Sequence, residues 1–400
     1  MRPLIAKRLN EGFAILGYAV FSLLVMAILL ELFSWAGLSS YHHIRQSFRG
    51  PSVPSPLTSE PWAQEFWKEE SARTKLHKIY VPFRVWGPEN WHGKYVNNDE
   101  SKIGVVRRTI NPSSQICTEQ SARRVWMFGG SAVYGSGVPD WATLPSYLSR
   151  ALNAAAPECV IVVNFGVEGY VTNQEVIALA EQLKAERPPD IVIFYDGVND
   201  AGAAAYSSGP PLPHFMLTEV KNRIEGTISG RLDFLRGSHL LQLLTVMRSP
   251  LHRTTISLSQ QEEWRRGAVT ALDNYESNLG LVKALSKAYG FKLYCFWQPS
   301  LYYGHKPLVP FEQQLVNASN PQTDYWYTAE IAGNAEAETR AARLGDFIFL
   351  GGLFDSVKDP LYIDMVHLDP LGNKLVATNI AEYIGFPAKS PEPIGIAAHP

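Results

Sequence analysis

Four short segments of this chain, VWMFGGS, VIVVNFGVEG, IVIFYDGVND and YIDMVHLDP, each place a small or polar residue just past an apolar run. In order they offer Ser131, Gly169, Asn199 and the pair Asp364 and His367. A serine hydroxyl becomes a nucleophile when a neighbouring imidazole takes its proton. The imidazole needs a carboxylate to hold its tautomer, and the oxyanion formed on an attacked carbonyl needs hydrogen-bond donors. These residues are the parts for acyl transfer through a serine. Of the ten histidines, His367 alone has an aspartate three residues earlier. That spacing across a turn lets Asp364 accept from one ring nitrogen while the other faces Ser131. Glu89 and His92 are the nearest rival pair, lack a serine partner in a strand-turn setting, and read as structural. Taken singly, Ser131 also reads as a helix cap, Gly169 as a turn glycine, Asn199 as an Asx turn and Asp364 as a surface carboxylate. Their joint placement is what points to chemistry.

The elements that must position them follow from hydrophobic patterning. Continuous apolar runs predict strands at Arg124 to Phe128, Val160 to Phe165, Ile191 to Tyr195, Lys292 to Trp297 and Phe347 to Leu350. Runs without alternation are buried on both faces, which points to a parallel sheet covered by helices. Helical periodicity predicts helices over Ala142 to Ala155, Asn173 to Glu186, Trp264 to Tyr289, Tyr325 to Leu344 and Leu371 to Ile384. The last is introduced by Asp369 as cap and Pro370 in the first turn. In an open parallel sheet, ligands bind beyond the carboxyl ends of the strands. Ser131, Gly169, Asn199 and Gln298 follow the first four strands in turn, so they are expected to converge on one edge. Gln298 and Tyr302, with Tyr303 beside it, are candidates for substrate contact there.

Composition excludes several classes. With 46% hydrophobic and 18% charged residues, 400 positions can bury a large core, and a formal net charge of −2 leaves no electrostatic footprint for nucleic acid. No repeat of solenoid period occurs, nor HExxH, a Walker loop or CxxC. Residues 1–38 read as a membrane anchor, because 12–30 form an uncharged apolar run of bilayer length with no AxA cleavage site after it. Arg2, Lys7 and Arg8 precede the run and Glu31 follows it, which predicts a cytoplasmic N-terminus and an extracytoplasmic remainder, periplasmic or extracellular; Arg45 and Arg49 weaken the asymmetry. Residues 39–115, rich in proline and carrying Trp62, Trp67, Trp86 and Trp91, read as a linker followed by an irregular aromatic segment whose tryptophans either bury surface or meet a sugar ring. Residues 116–388 read as the domain that carries these residues, and 389–400 as a tail. Cys117 and Cys159 each precede a strand, and if those strands are parallel neighbours a disulfide is expected in an oxidising compartment. Cys295 reads as a buried apolar residue. Residues 201–263, including GPPLPHF and the apolar stretch 240–247, form an insertion that either lids the site or packs on the domain.

With those residues in hand, the chain resembles the SGNH hydrolases, also called GDSL-like esterases and lipases. FGGS matches the serine block, NFGVEG the glycine block, GVND the asparagine block and DMVH the aspartate and histidine three apart. Gly130 departs from the family's GDS, where aspartate is usual. The resemblance spans about residues 122–385 and implies a flavodoxin-like three-layer α/β/α sandwich with a parallel sheet, behind an N-terminal transmembrane helix. It implies catalysis by Ser131, Asp364 and His367, an oxyanion hole of the Ser131 and Gly169 N–H groups and the Asn199 amide, and no metal or organic cofactor. The α/β-hydrolase elbow GxSxG fits less well, since Val133 holds the second glycine position. The substrate expected is an acylated carbohydrate outside the membrane. An O-acyltransferase of polysaccharide assembly, a lipid esterase and a non-catalytic glycan-binding subunit are the alternatives.

Overall fold

The computed structural model describes residues 2–48, 53–74, 78–112, 117–118, 121–156, 158–207, 214–226, 238–248, 256–319, 324–345 and 347–386. They form two compact units, one holding residues 2–48 with 218–226 and 238–248, the other 53–217 and 256–386. The first unit is helical. Its α1, Arg2–Phe48, contains the stretch Gly12–Ser40, whose mean hydropathy of 2.6 and length suit a membrane span. Side chains 12–30 are exposed, as lipid contact would require.

The larger unit is a three-layer α/β/α sandwich. Its strands are β1 (Ile79–Val81), β2 (Val85–Gly87), β3 (Trp91–His92), β4 (Asn97–Ser101), β5 (Gly104–Arg107), β6 (Arg123–Gly129), β7 (Val160–Asn164), β8 (Ile191–Asp196), β9 (Lys292–Trp297) and β10 (Ile348–Phe349). The helices after α1 are α2 (Ala63–Arg73), α3 (Ser131–Tyr134), α4 (Leu144–Ala155), α5 (Thr172–Ala185), α6 (Val198–Tyr206), α7 (Leu217–Ile224), α8 (His239–Arg248), α9 (Leu258–Tyr289), α10 (Pro310–Ala318), α11 (Tyr325–Leu344) and α12 (Pro370–Tyr383). Of these, α8 and all but the first residue of α7 belong to the helical unit. The parallel strands lie in the order β7-β6-β8-β9-β10, the doubly wound flavodoxin-like order, with the chain reversing direction of travel beside β6. Successive residues of each strand point to opposite faces, so β6 sends Val125 and Met127 against α4 and α12, and Trp126 and Phe128 against α5, α9 and α11. That two-sided burial is why the strands read as unbroken apolar runs.

The expected aromatic segment is more regular than its sequence suggests. It contributes α2 and the β3-β4-β5 meander, which extends the sheet antiparallel beyond β7. β4 is NNDES, a strand without apolar alternation, because its polar side chains find specific partners. Asn97 donates to buried Asp140, Asn98 accepts from the Tyr134 hydroxyl, and Asp99 receives both guanidinium arms of Arg108. Trp62 and Trp67 pack edge-on against Phe66, and Trp86 against Tyr170.

β6 and β7 are parallel neighbours, and the Cys159 carbonyl accepts from the Arg123 N–H at the end where both strands begin. There Cys117 and Cys159 are joined as a disulfide with Cα atoms 5.6 Å apart. Closing a loop with a sequence separation of 42 removes chain entropy from the unfolded state, about 4 kcal/mol in the loop-closure model. Cys117→Ser is therefore expected to lower the thermal midpoint of the full chain, and intact mass after alkylation without reductant to show one modified thiol fewer in wild type than after reduction for each bridged cysteine.

Candidate active site

The carboxyl ends of β6, β7 and β8 carry the loops that build the site. β6 ends at Gly129, and Ser131 opens the single turn α3, held by Tyr134 and Gly135 N–H groups donating to the carbonyls of Gly130 and Ser131. A Cβ on Gly130 would lie 2.2 Å from Asn199 Nδ2, so in this chain the residue before Ser131 is glycine to admit the asparagine. The loop after β7 runs along the end of β6, with Val167 N–H donating to the Gly129 carbonyl. Gly169 has φ +78°, a conformation that glycine adopts without strain. Buried Asn164, the polar end of the run VIVVN, ties the two loops by donating to the Val133 carbonyl and accepting from the Gly166 N–H. The Asn199 amide, in the first turn of α6, gives one hydrogen to the Tyr170 carbonyl at 2.8 Å, leaving its second N–H for a ligand.

Asp364 and His367 come from the loop between β10 and α12. That loop is pinned from below by fully buried Glu312, whose carboxylate accepts from the Leu361 and Tyr362 N–H groups and is paired with Lys306 at 2.6 Å. Asp364 Oδ1 accepts from the backbone N–H groups of Val366 and His367, and its Oδ2 lies 2.7 Å from His367 Nδ1. His367 Nε2 lies 2.7 Å from Ser131 Oγ, 236 positions away in the chain. Burial opposes both charged forms, yet the pairing prevails. It holds the Asp364 carboxyl below its ordinary range and raises His367 above the usual imidazole value.

A cavity of about 450 Å³ opens over this array. Ser131, Gly169, Asn199, Asp364 and His367 line it, with Lys78, Glu168, Phe215 and Trp326 as further walls. Of these four, Lys78, Glu168 and Trp326 were not legible as site residues, whereas Phe215 ends the GPPLPHF stretch expected either to lid the site or to pack on the domain. Glu168 hides between turn residues; here it accepts from Ser136 and pairs with Arg73 at 3.1 Å, and these contacts outweigh burial to keep its pKa low. Lys78 donates to the Glu168 carbonyl and lies 5.0 Å over the Trp86 ring. A second cavity of about 120 Å³ shares Lys78 and Glu168 with the first, and Trp91 forms one of its walls.

Two expected contacts are not in this cavity. Gln298 is buried and Tyr302 is turned away, its hydroxyl bonded to Ser319 and its ring edge-on to Tyr327 at 4.9 Å; Tyr303 bonds Glu338. The reason is that the chain after β9 is drawn under the histidine loop, with Leu301 N–H donating to the Met365 carbonyl. Of the insertion, Phe215 does line the cavity, whereas residues 208–213 lie outside the described residues and α8 belongs to the helical unit. Behind Asn199, Asp200 accepts from the Thr172 N–H and is pushed up to about 6 by burial. Glu175 and Asp196, fully buried beside each other, are pushed well above the carboxylate range, which favours their protonated forms. Among the described residues, no three His, Cys, Asp or Glu side chains group so as to hold a metal ion.

Gly130→Ala isolates the contribution of the asparagine. The added methyl displaces the Asn199 amide rather than any backbone, so folding is expected to persist; if that amide is the oxyanion donor its sequence context implies, kcat falls by about 10²-fold, the loss typical of one such donor. Steady-state turnover of a short acyl ester with a parallel melting curve checks it.

No protein-family model and no curated protein matches the chain. Among solved structures it is similar to the acetylxylan esterase Axe2 from Geobacillus stearothermophilus, at 15% identity with a TM-score of 0.32, covering 68% of this chain and 98% of that one. It is also similar to LAE5, an alpha/beta hydrolase enzyme from the metagenome of Lake Arreo, Spain, at 12% identity and TM-score 0.33, covering 66% and 96%. A third is a member of the lipolytic G-D-S-L family from Veillonella parvula, at 11% identity and TM-score 0.31, covering 66% and 97%. Values this low carry no weight for the chemistry, which rests on the side chains described above.

Proposed function

We propose that this protein is a membrane-anchored serine esterase of the SGNH type that removes O-acyl groups from a carbohydrate outside the membrane. The observation that carries it is the continuous relay from Asp364 through His367 to Ser131, with both hydrogen bonds at 2.7 Å. Nδ1–H donates to the carboxylate, which leaves Nε2 unprotonated to accept the serine proton. As Ser131 Oγ attacks the ester carbonyl, His367 takes that proton, and the carbonyl oxygen becomes an oxyanion bound by the Ser131 and Gly169 N–H groups and the free amide hydrogen of Asn199. Collapse breaks the bond to the leaving alcohol, which receives the proton from His367. Water then attacks the acyl-serine by the same route and releases the carboxylic acid.

Aromatic walls and hydroxyl-binding charged groups support a sugar ester. Phe215 and Trp326 supply apolar surface near Ser131, while Lys78 and Glu168 stand between the two cavities. The adjoining cavity walled by Trp91 also supports a second reading, in which the acyl-serine passes its group to a sugar hydroxyl seated there instead of water. The reading is tested with a fluorophosphonate probe and a panel of acetylated oligosaccharides and lipid esters. Expected are labelling confined to Ser131 and release of acetate from the oligosaccharides. Absence of labelling removes serine catalysis, lipid-ester preference removes the carbohydrate, and acetyl transfer exceeding acetate release selects the transferase.

A further inference from the structure

Glu31 is a carboxylate within the apolar stretch Gly12–Ser40, and the structure gives it a specific task. It accepts from the Ser238 hydroxyl at 2.8 Å, from the backbone N–H groups of His239 and Leu240, and lies 3.1 Å from His239 Nδ1. Glu31 thereby caps α8, satisfying donors that a helix start leaves open. Ser34 and Leu38 continue the same face of α1 at helical spacing, and they are its buried side chains among those described. α8 is thus packed along one face of the anchor helix, just past Glu31. Among the described residues, Leu241 and Leu244 of α8 are 44% and 47% exposed.

Depth follows from helix geometry. At 1.5 Å per residue, the run from Gly12 to Glu31 spans about 30 Å, the thickness of a bilayer's hydrocarbon core. Lys7 and Arg8 lie before it, so Glu31 falls at the opposite boundary, where a carboxylate is tolerated, and α8 is held at that same level. A short helix with leucines facing outward at the acyl-headgroup boundary has lipid as its natural partner.

We propose that α8 is a second membrane contact, an interfacial helix docked on the anchor through Glu31 that inserts Leu241 and Leu244 into the phospholipid surface. The inference rests on α1 being an uncleaved anchor. Because the chain leaves the sandwich at 217 and returns at 256, the catalytic unit would then be tethered to the bilayer from two places in its sequence.

The test uses the full chain in phosphatidylcholine and phosphatidylglycerol vesicles. Cys117 and Cys159 are joined and Cys295 is buried, so a Leu244→Cys variant offers one reactive thiol for an environment-sensitive NBD maleimide. Expected are a blue-shifted emission and loss of most of it when nitroxide-labelled phosphatidylcholine is included. Glu262→Cys, on exposed α9 surface, is expected to show neither. Adding Glu31→Ala to Leu244→Cys should abolish the quenching while the protein still sediments with vesicles. Water-like emission at position 244 in sedimenting full-length protein overturns the proposal alone. An intact mass that begins beyond Glu31 overturns the anchor and the proposal together, and quenching unchanged by Glu31→Ala overturns the docking.

Discussion

Ser131→Ala should lower kcat/KM for a short acyl ester by about 10⁴-fold or more, the scale on which a nucleophile acting as part of a unit fails when removed. Among the described residues its side chain bonds His367 Nε2 alone, while the turn around it is held by backbone bonds that alanine retains. Folding is therefore expected to be unchanged, and a circular dichroism melt alongside the assay separates lost chemistry from lost structure. Residual turnover should reflect the oxyanion donors alone. His367→Ala should fall to nearly the same level, because neither residue acts without the other. Undiminished turnover in either variant would remove the Ser131 mechanism.

Asp364→Asn should lower kcat by about 10⁴-fold, since an amide at this position donates where the carboxylate accepts and so favours the wrong imidazole tautomer. The pH profile gives an independent sign. His367 must be neutral to take the serine proton, and Asp364 raises its pKa above the ordinary value. Activity of wild type should thus fall as pH drops through that raised pKa and stay flat above it. In the asparagine variant the residual acid limb should move to lower pH, because burial, which favours the neutral ring, is no longer opposed by the carboxylate. A limb that fails to move would separate Asp364 from the base. Stability should follow in the matching sense. The pair's charged form stabilises the fold below the unfolded imidazole pKa, and that contribution is lost as pH rises through the raised value.

The fold was legible where burial is two-sided. β9 and α11 occur within the bounds their patterns predict, and the other parallel strands begin or end within one residue of theirs. β4 was not legible, since its stability comes from side-chain partners such as Asp140 and Tyr134 that lie elsewhere in the chain. The same distinction divides the site. Ser131, Gly169, Asn199, Asp364 and His367 could be named in sequence because each punctuates a strand end or precedes a capped helix, and these are local signals. Lys78 and Glu168 could not, since nothing in their own segments says that they wall the cavity; the approach of the chain after α2 to the loop after β7 decides it. Gln298 and Tyr302 show the converse: the correct strand end, but a chain path drawn beneath the histidine loop.

By itself, then, the amino-acid sequence determined the strands, the sheet edge where the loops gather, the five residues Ser131, Gly169, Asn199, Asp364 and His367 that meet there, and an apolar helix long enough to span a membrane. Tertiary structure decided three things: that glycine must stand at 130 to seat Asn199, which walls surround Ser131, and that the insertion's apolar helix joins α1 rather than the sandwich. The physical reason is range. Patterning and caps act over one or two turns of chain, whereas a cavity wall and a helix-helix contact exist only between segments far apart in sequence that tertiary packing brings together.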